Sequence, residues 1–247
     1  RRLIRHKVSP RVGIADQLGG IMLSYGVIVA LLVRQQTGVG QKLDVSLLGG
    51  LVALQTMWLQ AFILCGQQPV KKPRTETRSP FWNTYQAKDG KWFCLSMGHS
   101  DRYWPGLCRV LGREELEKDP LFDTHEKRIG TSGTILVSIM DKIFKDKNRY
   151  EWLELLDKHG QISGPINDFQ DVLKDEQIWK NHYLIESKHP DFGPLKVVGF
   201  PIQFSETPAI INPGAPKHGE HSEEIMREIL GYKTEEILAL KEGKIIK

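Results

Sequence analysis

Residues Ala15 to Leu47 read ADQLGGIMLSYGVIVALLVRQQTGVGQKLDVSL, and the rest of the chain is best read outward from them. The inner run, Ile21 to Val33, is almost wholly apolar and stops at Arg34. That is short of the roughly 18–20 apolar residues a membrane-spanning helix needs, so the run reads as a helix buried on nearly every side. Asp16 stands just ahead of it. Behind it, Thr37-Gly38-Val39-Gly40-Gln41 marks a helix stop and a glycine turn, and the alternation of Lys42 to Ser46 predicts a short strand. Gly38 and Gly40 follow a helix instead of opening one, and no Walker lysine comes after them, so they read as turn residues and not as a phosphate loop.

Downstream, Val45 to Val70 carries no formal charge, yet it contains Gln55, Gln60, Gln67 and Gln68. Leu47, Leu51, Leu54, Trp58 and Phe62 recur at intervals of three or four, which predicts a core or subunit-interface helix in preference to a membrane span. Lys71 to Pro80 (KKPRTETRSP) is polar, basic and proline-punctuated, as a linker would be. Phe81–Tyr85 and Lys91–Met97 then flank Lys88-Asp89-Gly90 as a hairpin. Helical patterns run over Asp101–Leu111, His125–Phe144, Tyr150–His159 and Asp168–Trp179. Glu186 to Phe204, broken by prolines and Gly193, reads as short strands, and Ser222–Leu230 and Thr234–Leu240 read as a helical tail.

The chain has 247 residues, enough for one large or two small domains. With 40% hydrophobic and 26% charged residues it has a globular composition and is neither disordered nor collagen-like. Cys65, Cys94 and Cys108 form no CxxC pair and no zinc spacing, which favours reduced thiols in a cytoplasm. The net charge of +4 conceals an asymmetry: residues 1–109 hold 15 basic and 5 acidic side chains, residues 110–247 hold 19 and 25. The first part should attract anions. No aromatic-interleaved nucleic-acid motif accompanies the basic residues, so a phosphorylated or carboxylate small molecule is preferred to nucleic acid. The start at Arg1 lacks a methionine and the apolar core of a signal peptide, and is expected to be a truncation point.

The residues offer few nucleophiles. No GxSxG elbow occurs and no cysteine has a catalytic signature. His218 and His221 form an HxxH with Glu220 alongside, but without a third ligand they read as a polar helix entrance, and no metal is expected. His99, in Met97-Gly98-His99-Ser100-Asp101, lies between a strand and a helix, as a pocket-rim or plain loop histidine. Asp16 has two readings: it caps the apolar helix, or it is an ionised carboxylate held there for covalent chemistry. Gly19 and Gly20 would clear side chains from the approach of a ligand.

At Asp16 the residues carry a resemblance. Ala15–Leu47 is similar to the core signature of the class III CoA-transferases of the CaiB/BaiF type, which include formyl-CoA, carnitine and bile-acid CoA-transferases and the 2-methylacyl-CoA racemases. The resemblance continues in order through Ser79-Pro80-Phe81, Asp89-Gly90-Lys91, Trp104, Leu107-Cys108, Asp119-Pro120, Arg128, Gly164-Pro165-Ile166, Gly199-Phe200-Pro201, Ala215-Pro216 and Gly219-Glu220-His221. It covers nearly the whole chain.

The resemblance implies an α/β fold: a Rossmann-like large domain, here partial, with a smaller α+β domain, in an interlocked dimer. Residues 1–70 would be the back part of the large domain, 71–185 the small domain, and 186–247 a return to the large one. Asp16 would be the nucleophile of an acyl-CoA:carboxylate CoA-transferase, with Gln17, Gly19, Gly20, Arg74, Arg78 and His99 at the substrate. Arg74 and Arg78 would receive the second carboxylate of a dicarboxylic acid. Coenzyme A thioesters would be substrates, with no permanently bound cofactor. The partners would be acyl-CoA, a carboxylate, and a second identical or related subunit, with no nucleic acid and no membrane, in the cytoplasm. Family members carry roughly a domain ahead of this aspartate that holds most of the CoA nucleotide. Two alternatives remain open: α-proton transfer as in the racemases, and a non-catalytic subunit whose partner supplies the CoA site.

Overall fold

The computed structural model describes residues 13–68, 70, 73–76, 79–130, 132–189, 191–210 and 216–246. It falls into two compact units, the first ending at Glu76.

The first unit is helical. Helix α1 runs Ile14–Thr37, and Gly38 ends it at φ 74°, a left-handed C-cap with its N–H on the Arg34 carbonyl. The strand predicted at Lys42–Ser46 does not form; this stretch is irregular. A strand needs a partner ladder, and the described residues of this unit contain no strand. Ser46 instead caps helix α2, Leu47–Leu54, accepting from the Gly49 N–H at 2.9 Å. Helix α3 covers Thr56–Cys65. The single helix predicted here is thus two, bent by 69° at Gln55.

Helices α1 and α2 meet through glycine. A Cβ on Gly19 would fall 2.5 Å from Leu47 Cδ2, and one on Gly50 would fall 3.4 Å from Leu18. Gly19 and Gly50 are also the only buried positions among the described residues of the unit. The expectation that α1 is buried nearly all round is therefore not met in this chain: Ile21 and Ile28 are 63% and 66% exposed. At 24 residues and about 1.5 Å per residue, α1 is long and apolar enough by length and composition to cross a membrane. The bent pair α2–α3 passes the same test only if taken as one span.

The second unit holds the packed core. Strands β1 (Trp82–Gln86), β2 (Trp92–Ser96) and β3 (Ser163–Ile166) form an antiparallel sheet in that order, with Tyr85 opposite Phe93 and Phe93 opposite Pro165. Against it pack α4 (Ser100–Leu111), α6 (Gly133–Ile143) and α7 (Arg149–Lys158), while α5 (His125–Ile129) lies against α4 and α6. The helix predicted over His125–Phe144 breaks at Gly130, where a Cβ would lie 2.4 Å from the Glu126 carbonyl. Helices α8 (Phe169–Lys174) and α9 (Glu176–Lys180) lead to a two-stranded antiparallel sheet, β4 (Leu184–His189) and β5 (Gly193–Val198). The chain ends in α10 (Ser222–Glu224), a π-helical turn at Ile225–Ile229, and α11 (Thr234–Glu242).

The core is aromatic. Phe144 stacks edge-on against Phe93 and Trp152 at 4.9 and 5.1 Å, and lies 4.8 Å from the Tyr85 ring. The polar ends of these rings are satisfied: Trp152 Nε1–H donates to the Phe144 carbonyl at 2.9 Å, and Tyr85 O–H to the Pro80 carbonyl at 2.7 Å.

A charge network closes one side of this core. The buried Arg149 guanidinium donates to Asp171 Oδ2 at 3.1 Å and to the Ile166 carbonyl at 2.9 Å, and Lys91 pairs with the other oxygen of Asp171. The Lys91 hydrogen bond, aided by the Asp168 backbone N–H and Arg149, holds the Asp171 carboxyl at about 2, below its ordinary 3.8. A depressed folded-state value gives stability that is present above about pH 4 and lost as pH falls towards 2. Thermal melting should therefore be flat from pH 5 to 8 and fall below pH 4. Asp171→Asn should melt lower at neutral pH and show a shallower acid limb; equal limbs in both proteins would exclude Asp171 as the titrating group.

Candidate active site

Helix α1 presents Asp16 in its first turn. The cap position is Gly13, which has no side chain to cap with, and Gln17 makes the first helical bond, N–H to the Gly13 carbonyl at 2.9 Å. Asp16 is thus the third residue inside the helix and not its N-cap, which sets the capping alternative aside. Its Oδ2 folds back over Gly13, where a Cβ would sit only 2.5 Å away. The first N–H groups of any α-helix lack intrahelical acceptors, and the helix dipole is positive there. Ile14, Ala15 and Asp16 itself supply these groups, and the Asp16 side chain is exposed.

Two further residues of the same turns lie open. Gln17 is exposed, and a Cβ on Gly20 would meet nothing within 4 Å. Gly19, expected beside a ligand, is instead filled by Leu47 from α2, so its lack of a side chain serves helix packing. Arg74 is half-buried in a 3₁₀ turn, Arg74–Glu76, of the same unit. Arg78 lies outside the described residues. His99 belongs to the second unit, exposed at the N-cap position of α4 with no side-chain capping bond.

The buried Cys108 thiol stays out of the chemistry. Burial pushes Cys108 up to about 12, which leaves it protonated and unreactive near neutrality. Among the described residues no group of three or more His, Cys, Asp or Glu is placed to hold a metal ion.

Sequence reasoning missed a second polar cluster beneath His99. Ser100 Oγ lies 2.6 Å from His125 Nδ1 and accepts from Arg128 Nε at 3.2 Å, while Arg128 also donates to the Phe122 carbonyl, pairs with Asp101 and stacks over Trp104. Ser100 and Arg128 are each 1% exposed, so this network fixes the start of α4 and offers no nucleophile to solvent. The sequence hint was Arg128 itself, one of the ordered series of residues that carries the family resemblance.

The family profile of CoA-transferase family III matches residues 5–222. The chain belongs to CoA-transferase family III. Among curated members it is 27% identical over 235 residues to (R)-2-hydroxy-4-methylpentanoate CoA-transferase of Clostridioides difficile, covering 95% of this chain and 58% of that one. It is also 27% identical over 237 residues to the succinyl-CoA–L-malate CoA-transferase beta subunit of Chloroflexus aurantiacus, covering 94% and 58%. A crystal structure of a CaiB/BaiF family protein from Brucella suis superposes with a TM-score of 0.79 at 26% identity, over 91% of this chain and 57% of that one. This family III chain therefore spans a little over half the length of the relatives it matches, and shares their mixed helix-and-sheet fold.

Proposed function

We propose that this chain carries the nucleophile of an acyl-CoA:carboxylate CoA-transferase, and that the nucleophile is Asp16. The observation that carries the reading is an exposed carboxylate in the first turn of α1, inside the family III match. The Asp16 carboxylate attacks the thioester carbonyl of the donor acyl-CoA; the C–S bond breaks, leaving a mixed anhydride and CoA thiolate. The thiolate attacks the aspartyl carbonyl, expels the donor acid as its carboxylate and forms an aspartyl-CoA thioester. The acceptor carboxylate then displaces the thiolate to give a second anhydride, and the thiolate attacks the acceptor's acyl carbon to release the new acyl-CoA and free Asp16. Each tetrahedral intermediate bears an oxyanion, and the unpaired N–H groups of α1's first turn are donors suited to it. Gln17, Gly20 and His99 complete the substrate contacts in this reading.

The reading includes a division into a partial large domain (1–70), a small domain (71–185) and a returning tail (186–247), working as a cytoplasmic enzyme beside an identical or related subunit. The beta-subunit relative supports such an assembly. The uncharged helices α2 and α3, with Gln55 between them and Gln60 within α3, support a protein interface in preference to a membrane span.

Trapping tests the mechanism. Incubation with acyl-CoA and hydroxylamine should leave a hydroxamate on Asp16 by mass spectrometry; α-proton exchange in heavy water with no covalent adduct would instead establish racemase chemistry. For substrate choice, the two arginines support a dicarboxylic acid. Arg74→Ala and Arg78→Ala should each raise the KM for dicarboxylates about tenfold and leave that for monocarboxylates unchanged. An unchanged dicarboxylate KM in both variants would remove the assignment.

A further inference from the structure

From the carboxyl-terminal end of the second unit we infer a binding site for a phosphate-bearing small molecule. The site is a cleft of about 460 Å³ between the turn that precedes α10 and the end of α11. His218 and Ser222 line one side, Lys241 and Lys244 the other, with Ile245 and Ile246 as an apolar wall. It lies on the HxxH segment, His218 to His221.

Three observations point to an anionic ligand. First, residues 216–246 contain seven acidic side chains against five basic ones, yet no carboxylate lines the cleft. The lining presents two ammonium groups, an imidazole and a hydroxyl, and the carboxylate of Glu223, outside the lining, is paired with Lys241. Such a set can surround several oxygens of one phosphate, whereas a single carboxylate could occupy only part of it. Second, Lys241 is held by Glu223, which also lies 3.5 Å from Arg227. One cation is thus fixed in place, while among the described residues Lys244, His218 and Ser222 have no side-chain partner to give up.

Third, the end of α11 fixes where the lysines stand: Lys244 is the left-handed residue of a Schellman turn at φ 56°, with its N–H on the Lys241 carbonyl and the Ile245 N–H on the Leu240 carbonyl, each at 2.9 Å, so one helix ending sets both lysines on the lining. The π-helical turn at Ile225–Ile229 directly follows α10, a geometry that marks functional sites. The volume far exceeds a bare phosphate, and the two isoleucines suit an organic group on its ester side.

Calorimetric titration of the full chain with phenyl phosphate, inorganic phosphate and benzoate at constant ionic strength tests this. Phenyl phosphate should bind saturably and more tightly than benzoate. Lys244→Asn removes the charge while keeping a residue that tolerates positive φ, and should weaken binding about tenfold, the scale of one charge-assisted contact. His218→Gln should weaken it less. Equal affinity for inorganic phosphate would assign the site to the free ion, and tighter phenyl phosphate to an organic monoester; either supports the cleft. Heat that never saturates, or an unchanged affinity in a normally folded Lys244→Asn protein, overturns it. Asp16→Asn should leave this binding unaffected, so failure here and failure of the transferase reading are distinguishable.

Discussion

Asp16→Asn should abolish CoA transfer while leaving the fold intact. The carboxylate is proposed as the atom donor of the first covalent step, and an amide of the same shape cannot form an anhydride. Loss of a covalent nucleophile costs on the order of 10⁴-fold or more in kcat. The hydroxylamine adduct should disappear with it. Because the side chain is exposed and makes no cap bond, the change in stability should stay within about 1 kcal/mol, the size of one carboxylate's interaction with a helix dipole. Asp16→Glu discriminates further: it keeps the charge but carries the carboxylate one methylene beyond the first turn, so it should recover the adduct only weakly and turnover by far less than wild type. Transfer measured in the complete enzyme that falls less than tenfold in Asp16→Asn would place the nucleophile elsewhere. The comparison separates the alternatives as well. A subunit with no chemical role would lose nothing on substitution, and a racemase would lose α-proton exchange without ever showing an adduct.

How legible these features were in the sequence follows from how local their causes are. The β1–β2 hairpin could be read almost to the residue, because Asp89-Gly90 and the alternation of Tyr85, Phe93 and Leu95 are contained within fifteen positions. Helix α1 was legible for the same reason, as was its end at Gly38. The exposure of α1 was not: hydropathy reports that a helix needs covering, not what covers it, and among the described residues of this unit only Gly19 and Gly50 are buried. Strand β3 was missed because Ser163-Gly164-Pro165-Ile166 has no strand composition; it is an edge strand, where proline is tolerated since one side of its backbone needs no ladder. The break at Gly130 was masked by an apolar period that runs on through Ile135 and Ile139.

The charged networks were the least legible part. Lys91 and Asp171 are eighty positions apart, and Ser100 meets His125 and Arg128 only after α4 and α5 have packed. No spacing rule connects such pairs. Asp16 could be singled out because its neighbourhood is local in sequence and carries the family resemblance, whereas the only sequence feature at the cleft of His218 and Lys244 was an HxxH read as a polar helix entrance.

Phe144→Ala should destabilise the second unit by about 3–5 kcal/mol, the range for truncating a buried aromatic. Phe144 is 0% exposed and sits where the sheet meets α6 and α7, touching Tyr85, Phe93 and Trp152 at centroid distances of 4.8 to 5.1 Å. Its removal leaves a cavity with rigid aromatic walls. Tyr85 and Trp152 are both tied by hydrogen bonds to backbone carbonyls, so neither can swing into the space without leaving a buried donor unpaired. The upper half of the range is therefore expected, with melting lowered by roughly 10 °C for a unit of this size. Phe144→Leu, which refills much of the volume, should recover part of the loss. Phe169 gives the control within the same unit: it is 88% exposed, and Phe169→Ala should change stability by less than about 0.5 kcal/mol. If Phe144→Ala and Phe169→Ala melted alike in chemical denaturation, the aromatic cluster would not be what holds this unit together. The energy would then have to lie in the Arg149–Asp171 network, and Phe144→Ala would leave the acid limb of the melting curve unchanged.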